Sequence, residues 1–310
     1  MKIIFFGSDD FAALHLNQLL SSEHEVVACV THPDCIKGRG LKMIPSPVKE
    51  VAIQEKIPLY QPLHLKEDSF LHPLKDLRCD LFVVVSFGKI LPPSLLFIPY
   101  VCAINVHGSL LPKYRGAAPI NWAIIKGEEE TGVSIIKMNA QLDQGDIFAQ
   151  EKIKIAGDDT AVTLRSQMAV LGAELLLRTI NSLENNSYSL AVQDQQKATY
   201  APKLAKQLGK IDWKKSSLEI HNLVRGLLPW PTAFTYCRGQ LLKILETKVV
   251  DIKKSTSACG TVVGITQEGF HVETGKGQLL IKKVHPESSK VMEARSFMAG
   301  YKIQEGLLLG

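Results

Sequence analysis

The chain has 310 residues, 45% of them hydrophobic and 22% charged, an ordinary balance for a globular protein and enough length for two domains. No apolar run approaches the roughly 20 residues of a membrane span. The opening MKIIFFGSDDF holds one Lys and a short apolar run before its acids, which marks a first strand rather than a secretion signal.

The net charge of +5 is unevenly placed. Residues 201 to 310 carry 17 Lys/Arg against 9 Asp/Glu, or +8, and the rest comes to −3. A basic last third suits either a polyanionic partner or a merely soluble, Lys-rich face. Cysteines 29, 35, 79, 102, 237 and 259 are scattered and form no C-x-x-C pair. They fit neither a disulfide framework nor a zinc site, so the expectation is a reducing, cytoplasmic setting and no metal.

In chain order, Lys2 to Phe6 reads as a buried strand and Gly7 to Asp10 as a turn with a helix cap. Phe11 to Leu20 has helical spacing, and Val26 to Val30 is a second buried strand. Such a β-α-β start implies a right-handed crossover and a parallel sheet. The dinucleotide fingerprint G-x-G-x-x-G is missing: GSDDFA has one glycine and two acids, which would repel a pyrophosphate. Thr31 to Pro47 is a long loop with basic residues Lys37, Arg39 and Lys42. A loop this long is either functional or a surface insertion. Ser46-Pro47 opens a helix to about Glu55.

Leu81 to Val85 is another buried strand, followed by the loop SFGKILP. Ala103 to His107 is the next strand, and Asn105 and His107, two apart, project from one face. The string GSLLPKYRGAAP then leads into a short helix. Thr131 to Met138 is a strand ending in NAQLDQGD, and Ile147 to Ile155 alternates like an edge strand. Asp159 or Thr160 caps a long helix striped by Leu164, Met168, Leu171 and Leu175. The chain then turns polar. The expected division is a domain at 1–189, a linker at 190–207 and a second domain at 208–310. Ser216-Ser-Leu-Glu219 is a capping box opening a helix to about Leu227. Five short β-like runs follow, over 233–237, 240–250, 260–265, 269–273 and 278–284, with a helical segment at 292–299. That pattern suits a small OB-fold-like β-barrel. The fold class expected is therefore α/β, a Rossmann-like and mostly parallel sheet, followed by the barrel.

Asn105, His107 and Asp143 all fall at strand ends or in the loops just after them. An Asp beside an imidazole orients it and favours its protonated form. Such a His donates to an oxyanion or moves a proton, and an Asn N–H suits an oxyanion hole. With no G-x-S-x-G elbow, direct acyl transfer to an external amine fits better than an acyl-enzyme. Each residue taken singly also has a structural reading, as a strand-end amide, a packed histidine and a turn aspartate.

The strings HGSLLPKYRGAAPINWAI and LDQGDIF together resemble the 10-formyltetrahydrofolate-dependent formyltransferases. The resemblance extends through PDCIKGRGLKMIPSPVK, SFGKILP, ATYAPKL and KIDWKKSSLEIHNLVRGLLPWPTAF, nearly the whole chain. The long basic loop and the later tracts match the members that act on initiator Met-tRNA. The resemblance implies a formyl group moved from 10-formyltetrahydrofolate, a co-substrate, to that tRNA, without a metal. It implies Asn105, His107 and Asp143 as catalytic residues. It places Ser109, Leu110, Leu111 and Pro112 along the folate, with Phe87, Gly88 and Ile90 near its pterin. Arg39, with Lys37 and Lys42, would meet the tRNA acceptor arm, and Lys206 and Lys210 would meet phosphates. A monomer with no obligate protein partner is expected. GSDDFA, Cys35-Ile36, Gln141 and Asn121 depart from the family pattern, and the Cys35 change touches the tRNA loop. Three other readings stay open: a formyltransferase for an amino-sugar nucleotide or ribonucleotide amine, a formyl-folate hydrolase, and an inactive RNA-binding protein.

Overall fold

The apolar runs read as buried strands lie side by side in one sheet of the computed structural model. The structure describes residues 1–37, 42–250 and 257–310, and it divides into two units. The first comprises 1–119, 130–154 and 165–201; the second comprises 120–129, 155–164 and 202–310.

In the first unit the chain runs β1 (Lys2–Gly7), α1 (Asp10–Leu20), β2 (Glu25–Val30), β3 (Cys35–Lys37), β4 (Lys42–Ile44), α2 (Pro47–Gln54), β5 (Leu59–Tyr60) and α3 (Asp68–Asp76). It continues through β6 (Leu81–Val85), α4 (Pro93–Leu96), β7 (Cys102–His107) and β8 (Arg115–Gly116). Helix α5 (Pro119–Ile125), which falls in the second unit from Ile120 on, precedes β9 (Glu130–Lys137), β10 (Ile147–Lys154), α6 (Ala161–Glu184, in the first unit from Arg165 on) and β11 (Tyr200–Ala201). The main sheet has the order β10-β9-β7-β6-β1-β2-β5. Its β7, β6, β1, β2 and β5 pair in parallel, and β9 and β10 are antiparallel. The chain first builds outward from β1 through β2 and β5, then returns to β6 on the other side. A crevice therefore opens at the carboxyl ends of β1 and β6, where open α/β sheets bind ligands.

Strand identity follows from burial. Ile3 to Phe6 and Leu81 to Val85 are buried on both faces, whereas β10 alternates along the edge. Gly7 is needed at the first turn because a Cβ there would lie 2.6 Å from Ala12 Cβ and 2.9 Å from the Val85 carbonyl oxygen. The first of the two acids after it is structural. Asp9 accepts the Ala12 N–H at 3.0 Å as the α1 cap and pairs with Arg165.

The features not read in the sequence include the following two. The loop at 31–47 carries a two-stranded ribbon, β3 against β4, on a base where Lys49 Nζ meets Asp34 Oδ2 at 2.6 Å. Helix α3 has only a short apolar face, with Pro73 inside it.

In the second unit, α7 (Ser217–Gly226) precedes β12 (Ala233–Cys237), β13 (Gln240–Val250), β14 (Val262–Ile265), β15 (Phe270–Glu273), β16 (Gln278–Pro286), β17 (Met292–Glu293) and α8 (Ala294–Tyr301). The sheet is antiparallel throughout, in the order β12-β13-β16-β15-β14, with β17 on β16. The capping box forms, with the Ser216 N–H donating to Glu219 Oε2 at 3.0 Å. Trp213, Ile220, Ile244, Phe270, Ile281 and Phe297 belong to this unit's own core.

Candidate active site

Strand β7 ends between β6 and β9, so its last residues stand at the sheet's carboxyl edge. Asn105 lies between Val84 and Ile136, half-buried, and His107, 5% exposed, follows two residues later on the same face. The His107 Nε2–H donates to the Tyr114 carbonyl oxygen at 3.0 Å. A carbonyl only accepts, so this bond fixes the proton on Nε2 and turns Nδ1 the other way. Nδ1 faces Asp143 Oδ2 at 3.7 Å, just beyond hydrogen-bond range and an ion pair only when the ring is protonated. The same Oδ2 accepts the Gly116 N–H at 2.8 Å. Asp143 sits at φ 53°, a left-handed conformation that Asp tolerates in turns.

The three residues that the sequence singled out are thus together at one strand end, and Asp143 arrives there from the β9–β10 loop. The imidazole Nε2 donates to a backbone carbonyl and its Nδ1 faces the carboxylate, an arrangement suited to the second of the two expected roles, moving a proton.

The SLLP loop is locked from below. Ser134, 0% exposed on β9, donates to the Ser109 carbonyl at 2.6 Å and accepts the Leu111 N–H at 3.1 Å. Gln150 Nε2 donates to Ser134 Oγ at 2.7 Å and to the Leu111 carbonyl at 2.9 Å. Ser109 Oγ in turn donates to the Lys113 carbonyl at 2.6 Å. Ser109 and Leu111 side chains point into the protein, and Leu110 and Pro112 are half-buried. This loop offers a ligand its backbone and those two side chains.

After β6, Phe87 is 2% exposed and packs edge-on against Phe6, while Gly88 and Ile90 are exposed. Ile90 lines a cavity of about 560 Å³ with Leu63, Lys66, Leu91, Pro93 and Ala140. Of the expected folate-facing set, Ile90 borders this cavity and Phe87 belongs to the core beneath it. Lys206 and Lys210 are exposed on the second unit. Lys37 and Lys42 lie on β3 and β4, and Arg39 lies outside the described residues.

The chain matches the model of the formyl transferase family over residues 1–180 and that of the family's C-terminal domain over residues 203–302. The chain belongs to the formyl transferase family. This formyl transferase is 44% identical to a methionyl-tRNA formyltransferase of Acetivibrio thermocellus and 44% identical to one of Clostridioides difficile, each over the whole of both chains. Among solved structures it resembles WlaRD, a sugar 3N-formyl transferase determined with dTDP and 5-N-formyl-THF. There the TM-score is 0.68 at 20% identity, over 94% of this chain and 99% of that one. It also resembles HypX of Aquifex aeolicus in complex with tetrahydrofolic acid, with TM-score 0.63 at 15% identity, over 97% of this chain and 47% of that one. At those identities the two structures attest the fold alone.

Several residues around this formyl transferase's site carried no sequence signal. Ser134 and Gln150 sit in strands read only for their apolar pattern, and Gln193 lies in a polar tract read as a tether. Among the described residues, no group of three or more His, Cys, Asp or Glu is placed to hold a metal ion, and no helix is long and apolar enough to cross a membrane.

Proposed function

We propose that this formyl transferase moves the formyl group of 10-formyltetrahydrofolate onto the α-amino group of methionine carried by initiator tRNA, giving N-formylmethionyl-tRNA. The observation that carries the chemistry is the His107–Asp143 contact beside Asn105 at the end of β7. The full-length likeness to methionyl-tRNA formyltransferases supports the acceptor.

A free α-amino group has a pKa of about 7.7–8.0. An adjacent ester lowers it, so much of the amine is already neutral. Its lone pair attacks the formyl carbon and a C–N bond forms. The carbonyl oxygen takes up negative charge, to which the Asn105 amide donates. The former amine nitrogen gives up a proton to the His107–Asp143 pair. The bond from the formyl carbon to N10 then breaks, its electrons return to N10, and N10 receives the proton that the pair took from the amine. The Nε2–H bond to Tyr114 keeps Nδ1 turned to Asp143 throughout, and the Gly116 N–H holds the carboxylate in place.

The cavity beside Ile90 fits the folate in size and surface. Leu63, Ile90, Leu91 and Pro93 offer apolar walls to its rings, and exposed Lys66 at the rim suits the carboxylates of its glutamate tail. Lys206 and Lys210, with Lys37, Arg39 and Lys42 of the basic stretch 31–47, are the proposed phosphate contacts. The enzyme is proposed to act as a cytoplasmic monomer. Its six free cysteines suit a reducing cytoplasm.

The deciding experiment incubates the protein with 10-formyltetrahydrofolate and either Met-tRNA or a dTDP-amino sugar. Formyl-methionine on tRNA is the expected product. Formylation of the sugar alone overturns the assignment of the acceptor.

A further inference from the structure

Gln193 is 4% exposed in the polar stretch after α6, far in sequence from the catalytic strand. Its two ends do different work. Nε2 donates to the backbone carbonyl of Asp143 at 2.9 Å and to that of Gly145 at 2.7 Å. Oε1 accepts from Arg115 Nε at 3.1 Å and from Arg115 Nη2 at 2.6 Å. Arg115 is 1% exposed, and its Nη1 donates to Gln195 Oε1 at 2.9 Å. The next residue, Gly116, gives its N–H to the Asp143 carboxylate. Both Arg115 and Gly116 are pinned as β8 to β11, opposite Tyr200 and Ala201.

We propose that Gln193 is a positioning residue of the reaction: seated on Arg115, it holds the Asp143 loop by both carbonyls and so fixes the carboxylate against His107. The stretch 191–201, expected in the sequence to belong to a linker, is then part of the active-site framework. The proposal rests on Asp143 and His107 being the reacting pair.

The choice of residue is chemical. A carboxamide accepts at one end and donates at the other. Glutamate at 193 would grip Arg115 at least as well, yet it would face two carbonyls with an acceptor. Lysine would satisfy the carbonyls and leave the guanidinium unmet. A buried guanidinium usually takes a carboxylate partner. Amide oxygens meet Arg115 here, and the Asp143 carboxylate is left to Gly116 and His107. The loop needs an outside hold because it turns tightly: a Cβ on Gly145 would come 1.7 Å from the Lys137 carbonyl oxygen, and Asp143 is left-handed.

The test is a double-mutant cycle in the full-length enzyme, with Gln193→Glu and Asp143→Asn read out as formylation of Met-tRNA. Gln193→Glu keeps the bond to Arg115 and is expected to lower kcat at least tenfold with KM for 10-formyltetrahydrofolate unchanged. A displacement on the order of 1 Å at a reacting group costs about 10²-fold. In the Asp143→Asn background the same change should cost less than twofold, because the group it positions is already gone. Gln193→Met, which is uncharged, carries the same cycle if the Glu variant unfolds, with thermal melting as the check. Equal losses in both backgrounds, or kcat within twofold of wild type, overturn the proposal. If wild type formylates no Met-tRNA, it is the assigned reaction that fails, a result distinct from either of these.

Discussion

Replacing Ser134 by Ala removes one oxygen from the centre of the SLLP lock. The hydroxyl now serves three partners: the Ser109 carbonyl, the Leu111 N–H and the Gln150 amide. Gln150 keeps its bond to the Leu111 carbonyl, so its loss is partial. The Ser109 carbonyl and the Leu111 N–H are left buried. An orphaned buried polar group costs about 1–3 kcal/mol, so two cost roughly 2–4 kcal/mol once some relaxation is allowed. For a domain of about 150–250 residues that corresponds to a fall in Tm on the order of 10 °C. Ser109→Ala breaks a single bond, to the Lys113 carbonyl, and should cost about 1 kcal/mol. Urea unfolding of the two variants against wild type measures both numbers. The same lock sets the loop beside His107, so Ser134→Ala should also lower kcat/KM at temperatures where it remains folded. A Ser134→Ala loss below about 0.5 kcal/mol, or no greater than that of Ser109→Ala, would refute the account of the lock.

Three further outcomes follow from the geometry. Asp143→Asn and His107→Ala should each lower kcat by about 10²–10³-fold with formyl-folate binding unchanged, as single-turnover assays and equilibrium titration would show; near-normal turnover in either variant removes that residue from the mechanism. Lys206→Glu with Lys210→Glu should raise KM for tRNA and flatten its dependence on salt while sparing KM for the folate, and an unchanged salt slope would place the phosphate contacts elsewhere. The third concerns His15, whose Nδ1–H donates to the Phe11 carbonyl at 2.7 Å and whose Nε2 is buried without a partner. Burial lowers its pKa from 6.5 to about 4. The neutral ring is the folded form, so stability is fully present above 6.5 and is lost as pH falls toward 4, by about 3 kcal/mol in all. His15→Leu should flatten that part of the pH–stability curve, and parallel curves for the two proteins would show that His15 does not set it.

The central sheet could be read from the sequence because its strands are buried on both faces and appear as unbroken apolar runs, LFVVV above all. Caps were equally plain: Ser46, Asp9 and the Ser216–Glu219 box announce helices with side chains local to their own backbone. The ribbon β3–β4 was not legible, because three-residue strands bury too little to leave a period. Helix α3 was lost to Pro73 and a narrow apolar stripe. At the site, Asn105 and His107 stood out through strand spacing and Asp143 through its place in the loop after a strand. Their supports did not, since Tyr114 and Gly116 act through backbone atoms, for which side-chain identity is silent. Gln193 acts through a side chain, but its partners lie about 50 and 78 residues away, a pairing that no local pattern encodes.

The choice of acceptor is a separate question from the chemistry. A sugar 3N-formyl transferase shares this fold over nearly its whole length, so the fold by itself does not choose the amine. Transfer itself asks only for a neutral amine, which the acceptor brings, and for an oxyanion donor and a path for one proton, the roles proposed for the end of β7 and the Asp143 loop. Discrimination must come from groups that a small acceptor would not need. A net +8 over residues 201 to 310 is of that kind, since a nucleotide sugar has few charges to answer it and a tRNA has many. If the basic third selects the acceptor, rising salt should erode formylation of Met-tRNA through KM while leaving kcat nearly level. A reaction that loses kcat instead, with KM constant, would place the effect of salt on the chemistry and take acceptor choice away from the charged surface.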